Sequence, residues 1–268
     1  AFCDHSQLLA VLLSPVPMCW LLALPCSKVA LPMILPPMAA TLQQSAPQQT
    51  CHVADPAGLI FDLDGTLIHS APQIHAAAQA VLADEGLLPI DYATLRSFVG
   101  NGLGVLVHRI LAAQGQTQAD ERHARMCQSL LAIYEQSFDL TSLYPGVPDM
   151  LKTLAQRGHR MAICTNKPET ATRAILNHFN LTQHFPVIIG GDTLPQRKPH
   201  PAPLQYAAKQ LAVSQIWFIG DSEVDAETAQ AAQTRFLLFT GGYRNAAPET
   251  LNAHALFDHH STLPHLVN

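Results

Sequence analysis

The sequence predicts an α/β fold, with an open, parallel, Rossmann-like sheet that carries helices on both faces, plus an inserted helical cap domain. From residue 57 onward, short and almost unbroken apolar runs alternate with helical patterns. Runs of this kind are typical of strands that are covered on both faces of a parallel sheet. One long interval between the first two runs contains helical patterns alone, which indicates an insertion into the sheet.

Five apolar runs are the predicted strands of the sheet, and turn residues separate them from the helices. The strands cover Leu59–Leu63, Arg160–Cys164, Val187–Gly190, Ile216–Gly220 and Phe236–Phe239. The helices between them cover Val147–Arg157, Glu169–His178, Pro201–Leu211 and Val224–Ala232. Pro145 and Gly146 precede the first of these helices and Gly158 follows it, as is usual for helix start and stop.

The long interval predicts a cap domain over residues 70–141, whereas residues 55–69 and 142–268 form the core domain. Two linkers, Leu67–Ser70 and Leu143–Gly146, join the cap to the sheet. The predicted cap helices cover Pro72–Glu85, Tyr92–Phe98, Leu103–Ala113 and Thr117–Gln136. An insertion that leaves the sheet directly after its first strand lies over the end of that strand, where it can exclude water and select substrates.

Residues 1–54 differ in composition from the rest of the chain and predict a leader that is disordered or is upstream sequence rather than native protein. Their only charged side chains are Asp4 and Lys28, and prolines interrupt them throughout. The apolar stretch from Leu8 to Cys26 is nearly long enough to span a bilayer. Its internal prolines and the missing basic flank favour a leader that ends before Met38 over a membrane anchor.

Composition restricts the partners and the compartment. With a formal net charge of −5 and a pI near 6.3, the chain has no polybasic face, so nucleic acid is not an expected partner. The prolines within the apolar stretch of the leader argue against a membrane as partner. Only Cys127 and Cys164 lie outside the leader, and they form no C-x-x-C pair, which fits a reducing cytoplasm. A homo-oligomer is left open.

Two acids, Asp62 and Asp64, follow the first predicted strand and stand directly before Gly65. Because a strand alternates its faces with period two, both carboxylates leave the strand tip on the same side. Like charges that close repel each other unless a cation or a proton intervenes. The pair therefore indicates a divalent metal, a carboxyl group that is protonated during part of a reaction, or both.

Polar residues also follow the other predicted strands. Thr165 and Asn166 follow the second strand, Lys198 lies in the loop after the third, and Asp221 and Asp225 follow the fourth. Ligands of open parallel sheets collect at the carboxyl ends of the strands, so we expect these groups to meet in one crevice. Each alone has a simpler explanation, such as a turn, a helix cap or a solvated lysine, but their order along successive strands favours a functional site.

Together these residues resemble the four motifs of the haloacid dehalogenase superfamily of phosphotransferases, over residues 57–268. The motifs are D-x-D-G-T at Asp62–Thr66, a hydroxyl at Thr165, a lysine at Lys198 and G-D-x-x-x-D at Gly220–Asp225. Within that superfamily, three segments are most similar to phosphoglycolate phosphatases. They are Phe61–Ile68, Phe98–Gly102 and Cys164–Pro168.

The resemblance implies a phosphatase that forms an aspartyl-phosphate, with Asp62 as nucleophile and Asp64 as general acid and base. It also implies Mg²⁺, bound by Asp62, the backbone carbonyl of Asp64, and Asp221. Asp225 would orient Lys198 or a metal-bound water. Thr165, Asn166 and Lys198 would bind the phosphoryl oxygens of a small phosphorylated metabolite, for which 2-phosphoglycolate is the expected identity.

Substrate selection is assigned to four cap residues, Arg96, Gly100, Asn101 and Gly102. The glycines permit close approach of the backbone to a ligand, and Arg96 is a candidate partner for a substrate carboxylate, although a plain surface loop explains the segment equally well.

His69 departs from the family pattern, in which an acid is usual. The alternatives are a sugar phosphomutase or other metabolite phosphatase of the superfamily, a halide-releasing dehalogenase, and a non-catalytic binding module.

Overall fold

The structure is a computed structural model and describes residues 56–116 and 120–267. The predicted leader over residues 1–54 and the predicted helix start at Thr117 lie outside the described residues.

Six parallel strands form one sheet in the spatial order β5-β4-β1-β6-β7-β8. The strands are β1 (Gly58–Phe61), β4 (Arg160–Cys164), β5 (Val187–Ile189), β6 (Ile216–Gly220), β7 (Arg235–Phe239) and β8 (Ala255–Phe257). Phe61 at the end of β1 lies opposite Ile163 of β4 and Ile219 of β6. The three central strands therefore end at one level, and the loops that follow them share one edge of the sheet.

Helices cover both faces of this sheet. The core helices are α5 (Val147–Gln156), α6 (Glu169–His178), α7 (Ala202–Leu211), α8 (Glu223–Ala231) and α9 (Leu263–Leu266). Phe61 and Ile163 belong to one cluster of buried apolar side chains, whereas their neighbours Ile60 and Ala162 belong to a second. Successive residues of one strand thus face different hydrophobic layers, which confirms the predicted open α/β fold.

The inserted segment consists of four helices: α1 (Ala71–Asp84), α2 (Tyr92–Phe98), α3 (Leu103–Ala113) and α4 (Asp120–Gln136). Asp91 begins α2 by accepting the Thr94 N–H at 2.9 Å, a typical N-cap. At the predicted linkers the structure has a short antiparallel ribbon, β2 (Ile68–His69) with β3 (Ser142–Leu143). The sequence predicted linkers and no strand here, because two strands of two residues each are too short to show a periodic pattern.

The C-terminal segment adds elements that the sequence did not predict, namely β8 beside β7 and the short helix α9. In β8, Leu256 is 43% exposed while Phe257 is buried, as is usual for an edge strand. Within the described part of the chain, no helix combines the length and the apolar character needed to cross a membrane.

Candidate active site

The loop after β1 is held in a tight turn by one carbonyl group. Leu63 O accepts the N–H groups of Thr66, Leu67 and Ile68 at 3.0–3.2 Å. Gly65 has φ +91°, and a Cβ atom at that position would lie 2.4 Å from Asp221 Oδ2. Only glycine satisfies both conditions, since other residues rarely adopt this backbone region and any side chain would collide with the acid. The strand ends at Phe61 rather than at the predicted Leu63, so Asp62 begins this turn.

Asp62 is buried beside the ammonium group of Lys198, whose Nζ lies 2.9 Å from Asp62 Oδ1. The contact is an ion pair without hydrogen-bond alignment, so this buried oxygen has no hydrogen-bond partner. The same Nζ donates to Asp225 Oδ1 at 2.6 Å. Asp62 after β1 and Asp225 in α8 thus meet at the lysine of the loop after β5, which brings three of the four motifs together.

Asp225 is fixed from its own helix. It forms a capping box with Ser222 at the start of α8, and its Oδ2 accepts the Ser222 Oγ–H at 2.7 Å. Asp221 N–H and Ser222 N–H also donate to Oδ2, at 3.2 and 3.1 Å. With Oδ1 bonded to Lys198 and Oδ2 accepting three donors, Asp225 is placed to orient the lysine.

Asp221 is enclosed by polar donors from two distant segments. Thr66 Oγ1–H donates to its Oδ1 at 2.8 Å, and the Tyr243 N–H donates to its Oδ2 at 2.7 Å. A Cβ atom at Gly242 would lie 2.1 Å from Oδ2, so only glycine fits there. Tyr243 Oη also accepts the N–H of Ala71, the first residue of α1, at 3.0 Å.

Burial dominates the electrostatics of this cluster. It raises the pKa of Asp62 to about 6, and Lys198 opposes that shift only in part. Burial, reinforced by Asp225 and Asp62, raises the pKa of Asp221 well above its ordinary value. Oxygen atoms of Asp62, Asp221 and Asp225 all lie within 4.8 Å of one another. Buried acids at this spacing favour a cation between them.

A divalent cation fits this donor set. Hard oxygen ligands suit Mg²⁺, and Asp62 Oδ1 is a buried carboxylate oxygen without a hydrogen-bond donor. These three carboxylates face one ammonium group, that of Lys198. A cation with a double positive charge would therefore balance the negative charge that remains. Asp225 is the least available of the three carboxylates, because its oxygens already accept four hydrogen bonds whereas those of Asp221 accept two.

Asp64, the second acid of the pair, has different partners. Its Oδ1 accepts the Ser70 Oγ–H at 2.5 Å, and Lys167 Nζ lies 3.2 Å from its Oδ2. Lys167 Nζ also lies 3.9 Å from the ring centroid of Tyr134 in α4. Burial alone would lower the pKa of Lys167, but the Asp64 carboxylate outweighs it and the pKa is raised, so the lysine is charged.

Thr165 and Asn166 follow β4 and are both buried. Thr165 is the first residue after β4, and its Oγ1 accepts the Lys167 N–H at 3.3 Å. The Asn166 Nδ2 group donates to Gly100 O at 3.1 Å and to Lys198 O at 3.0 Å. Carbonyl groups therefore use both protons of the side-chain amide. We expected this amide to donate to a phosphate, but in this arrangement it has no proton left to do so. It connects the cap loop to the lysine loop instead.

A pocket lies over these groups, between the strand ends and the inserted helices. Its polar side is formed by Asp62, Asp64 and the segment 165–167. The opposite side is apolar, and it consists of Ile74, Val99, Leu103, Leu106, Leu130, Leu131 and Tyr134. A ligand in this pocket would place a charged end on the sheet and would be shielded from water by the cap.

Comparison with known proteins identifies the family. Residues 59–239 match the haloacid dehalogenase-like hydrolases. The chain belongs to this family. It is 51% identical over 211 residues to a phosphoglycolate phosphatase of Cereibacter sphaeroides, covering 78% of this chain and 97% of that protein. It is 40% identical over 215 residues to a phosphoglycolate phosphatase of Rhodospirillum rubrum, covering 78% and 89%.

Solved structures agree with these relatives. The crystal structure of a predicted phosphoglycolate phosphatase from Haemophilus somnus matches with a TM-score of 0.75 and 27% identity, over 81% of this chain and 100% of that one. The crystal structure of CbbY from Rhodobacter sphaeroides in complex with phosphate matches with a TM-score of 0.68 at 23% identity, over 77% and 95%, which supports the fold alone. The chain is therefore a hydrolase of the phosphatase type, as the motifs predicted.

The cap residues predicted for this haloacid dehalogenase-like hydrolase are not brought together. Gly100 and Gly102 line the pocket, but Asn101 and Arg96 do not. Arg96 Nη2 donates to Gly242 O at 2.5 Å, and its guanidinium lies 5.4 Å from the ring centroid of Tyr243. Arg96 therefore braces α2 against the loop after β7 rather than facing the pocket. Its expected role as a carboxylate partner has no support in this geometry.

Sequence reasoning missed Lys167, Ser70, Tyr134 and Tyr243. A signal for Lys167 was present in the sequence, since a lysine two residues after Thr165, just beyond the end of a strand, can reach the acids that follow the first strand. Tyr134 resembles an ordinary core residue of an amphipathic helix, and its role follows only from the way α4 packs over the sheet. His69, the departure from the family pattern, places Nδ1 3.0 Å from Tyr243 Oη, and burial lowers its pKa.

Proposed function

We propose that this protein is a Mg²⁺-dependent phosphomonoester hydrolase that acts on 2-phosphoglycolate through an aspartyl-phosphate. The observation that carries the proposal is the Asp62 carboxylate, buried on the pocket floor at the tip of β1 beside Lys198. A phosphomonoester dianion repels nucleophiles, so its charge must be balanced before attack, and this site concentrates the groups that can do so.

In the first step, an Asp62 oxygen attacks phosphorus and the bond from phosphorus to the ester oxygen breaks. Asp64, which enters the cycle protonated and recovers its proton in the second step, donates that proton to the departing alkoxide, which leaves as glycolate. In the second step, water attacks the phosphorus of the aspartyl-phosphate while Asp64 takes a proton from it. Inorganic phosphate leaves and Asp62 is restored.

Asp64 suits this acid and base role because it is held in place while still lining the pocket. Ser70 and Lys167 fix its side chain from the ribbon and from the end of β4. Asp62 and Asp64 thus have separate partners, which lets two neighbouring acids perform different tasks.

Asp62 and Asp221, together with the backbone carbonyl of Asp64, would hold the Mg²⁺ ion. When bound, the ion supplies positive charge that stabilises the phosphoryl oxygens. Lys198 and the Thr165 hydroxyl supply further positive charge and a hydrogen bond for those oxygens. Asp225 contributes by fixing the lysine.

Two findings favour 2-phosphoglycolate over a sugar phosphate. The curated relatives are phosphoglycolate phosphatases, at 51% and 40% identity over nearly their whole length. The cap side of the pocket is apolar and offers few partners for the hydroxyl groups of a sugar, which disfavours the phosphomutase alternative. The presence of Asp64 disfavours the dehalogenase, which has no leaving alkoxide to protonate.

The test measures phosphate release from 2-phosphoglycolate, glucose phosphates and nucleotides, each with Mg²⁺ and with excess EDTA. We expect 2-phosphoglycolate to have the highest kcat/KM, with activity lost in EDTA and restored by Mg²⁺. A higher kcat/KM for any sugar phosphate would reject the substrate, and full activity in EDTA would reject the metal.

The nucleophile is tested by Asp62→Asn, with Asp149→Asn on the exposed side of α5 as the matched control. Asp62→Asn should abolish turnover while the protein stays folded, and the control should keep wild-type activity. Rapid acid quench of the wild type should trap a covalent phosphate that hydroxylamine releases, as an acyl phosphate requires. Residual turnover in Asp62→Asn above a trace would assign the attack to another group.

A further inference from the structure

A substrate with a carboxylate needs a cation inside the pocket, because an unpaired charge in an apolar site is costly. Among the described residues that line the pocket, Lys167 alone carries a positive charge. Arg96, the residue expected for this role, contacts Gly242 and Tyr243 instead. Arg197 lies at the cap loop, but its side chain is exposed.

Lys167 is placed at the junction of the two sides of the pocket. Its backbone follows β4, its Nζ lies 3.2 Å from Asp64 Oδ2, and the Tyr134 ring of α4 lies under the ammonium with its centroid at 3.9 Å. The side chain is 7% exposed. Core and cap therefore hold this charge at a fixed position that the pocket reaches.

We propose that Lys167 binds the carboxylate of the substrate and thereby selects 2-phosphoglycolate over uncharged phosphomonoesters of the same size. This inference rests on the proposed function. It assigns substrate recognition to the loop after β4 and to α4, rather than to Arg96.

The covalent structure of the substrate supports this placement. Asp64 has to reach the ester oxygen in order to protonate it, and in 2-phosphoglycolate one methylene group separates that oxygen from the carboxylate carbon. Because Lys167 Nζ is in direct contact with Asp64, a substrate aligned on Asp64 brings its carboxylate within reach of the same ammonium. The ammonium has three protons, enough for Asp64 and the substrate together.

Tyr134 adds a link to the cap. Its ring contacts the ammonium from α4, and its hydroxyl is buried without a hydrogen-bond partner. Closure of the cap over a bound substrate would therefore remove water from the lysine and strengthen its attraction for the carboxylate.

The experiment compares two substrates that differ only at the recognised group, 2-phosphoglycolate and 2-hydroxyethyl phosphate. Lys167→Met should lower kcat/KM for 2-phosphoglycolate on the order of 100-fold, the effect typical of losing a buried charge partner. Loss of the contact with Asp64 should lower kcat/KM for both substrates. We therefore expect kcat/KM for 2-hydroxyethyl phosphate to fall at least about 10-fold less than kcat/KM for 2-phosphoglycolate, a difference of about 1.4 kcal/mol. Arg197→Met is the matched control and should leave both values unchanged.

Lys167→Arg provides a second variant in case the methionine variant does not fold, and it should keep the preference for 2-phosphoglycolate. An equal loss on both substrates in Lys167→Met would overturn the inference, because it would mean that the lysine acts only through Asp64. A selective loss in Arg197→Met would overturn it as well. A wild type that hydrolyses 2-hydroxyethyl phosphate but not 2-phosphoglycolate would reject the proposed substrate itself, a distinguishable result.

Discussion

The floor of the pocket and the surface of the cap both contain ion pairs of similar length, but the pairs on the floor are buried and those on the cap are exposed to water. On the floor, Lys198 lies 2.9 Å from Asp62 and 2.6 Å from Asp225, and the three side chains are at most 8% exposed. On the cap, Glu85 lies 3.2 Å from Arg122 and 3.3 Å from Arg125, whose side chains are 32% and 56% exposed.

The difference shows that burial, more than separation, decides what an ion pair does. Water and salt screen the cap pairs, so they add little stability. The floor pairs are unscreened, and each charge there depends on its partner. The charges of the proposed active site are therefore concentrated where the protein can least tolerate the loss of a single group.

The largest expected effect is that of Lys198→Met. Removal of the ammonium leaves Asp62 and Asp225 buried without their cation, which should lower the free energy of unfolding by about 3–5 kcal/mol and abolish activity. Urea unfolding measures the stability, and Lys152→Met on the exposed side of α5 is the control. Adding Asp225→Asn to Lys198→Met should recover part of the lost stability; no recovery would contradict the coupling.

His260 gives a smaller effect, which depends on pH. Its Nε2–H donates to Thr66 O at 2.8 Å behind the floor, and burial lowers its pKa to about 4. The unfolded chain takes up this proton near its ordinary pKa of 6.5, so the stabilisation is complete above pH 6.5 and is lost as the pH falls toward 4. The free energy of unfolding should fall by about 3 kcal/mol over this pH range.

Urea unfolding of the wild type and of His260→Gln at pH 7 and pH 4.5 measures this contribution. The wild type should lose more stability on acidification than the variant does. The exposed His265 in α9 supplies the control, because His265→Gln should keep the wild-type pH dependence. Parallel pH profiles for wild type and His260→Gln would show that the neutral buried imidazole contributes nothing.

Asn166→Ala tests the contact between floor and cap. It removes the hydrogen bonds to Gly100 O and Lys198 O, which together should be worth about 2 kcal/mol. Because the cap loop is then held less firmly, we expect KM for the substrate to rise more than kcat falls. The control is Asn177→Ala, on the exposed surface of α6. A variant with unchanged KM and a large loss in kcat would restore the phosphate-binding role we first expected.

The smallest effect should come from Glu85→Gln, which breaks both ion pairs on the cap. The free energy of unfolding should fall by less than about 1 kcal/mol at low salt, and the difference should vanish in 0.5 M salt, a concentration at which the screening length is on the order of 4 Å. Activity should be unchanged. A loss comparable to that of Lys198→Met would refute the contrast between the two regions.

The sequence predicted the part of the fold that periodic patterns encode. Each buried strand is a continuous apolar run, and polar residues appear where the strand ends, so the strands and the motif loops could be placed. Residues in neighbouring strand ends must meet because parallel strands share one edge. For that reason Asp62, Lys198, Asp221 and Asp225 could be placed in one site before the structure was known.

Other features depend on packing that no local pattern records. The ribbon of β2 and β3 has two residues per strand, and its pairing is set by where the cap leaves and re-enters the core. The amide of Asn166 was expected to face phosphate, but Gly100 and Lys198 offer it carbonyl groups that only the folded chain brings near. Arg96 was placed by its charge, whereas the approach of α2 to Gly242 determines its position.

Tyr243 matters for anyone who wishes to exchange the cap of this enzyme for another. Its backbone fixes Asp221, and its phenol group fixes Ala71, where the cap begins. A transplanted cap that starts with a proline at position 71, or that shifts the junction by a residue, would disturb Asp221, a proposed ligand of the cation, through a residue near the far end of the chain. Successful chimeras should therefore be cut after Ala71 and not before it.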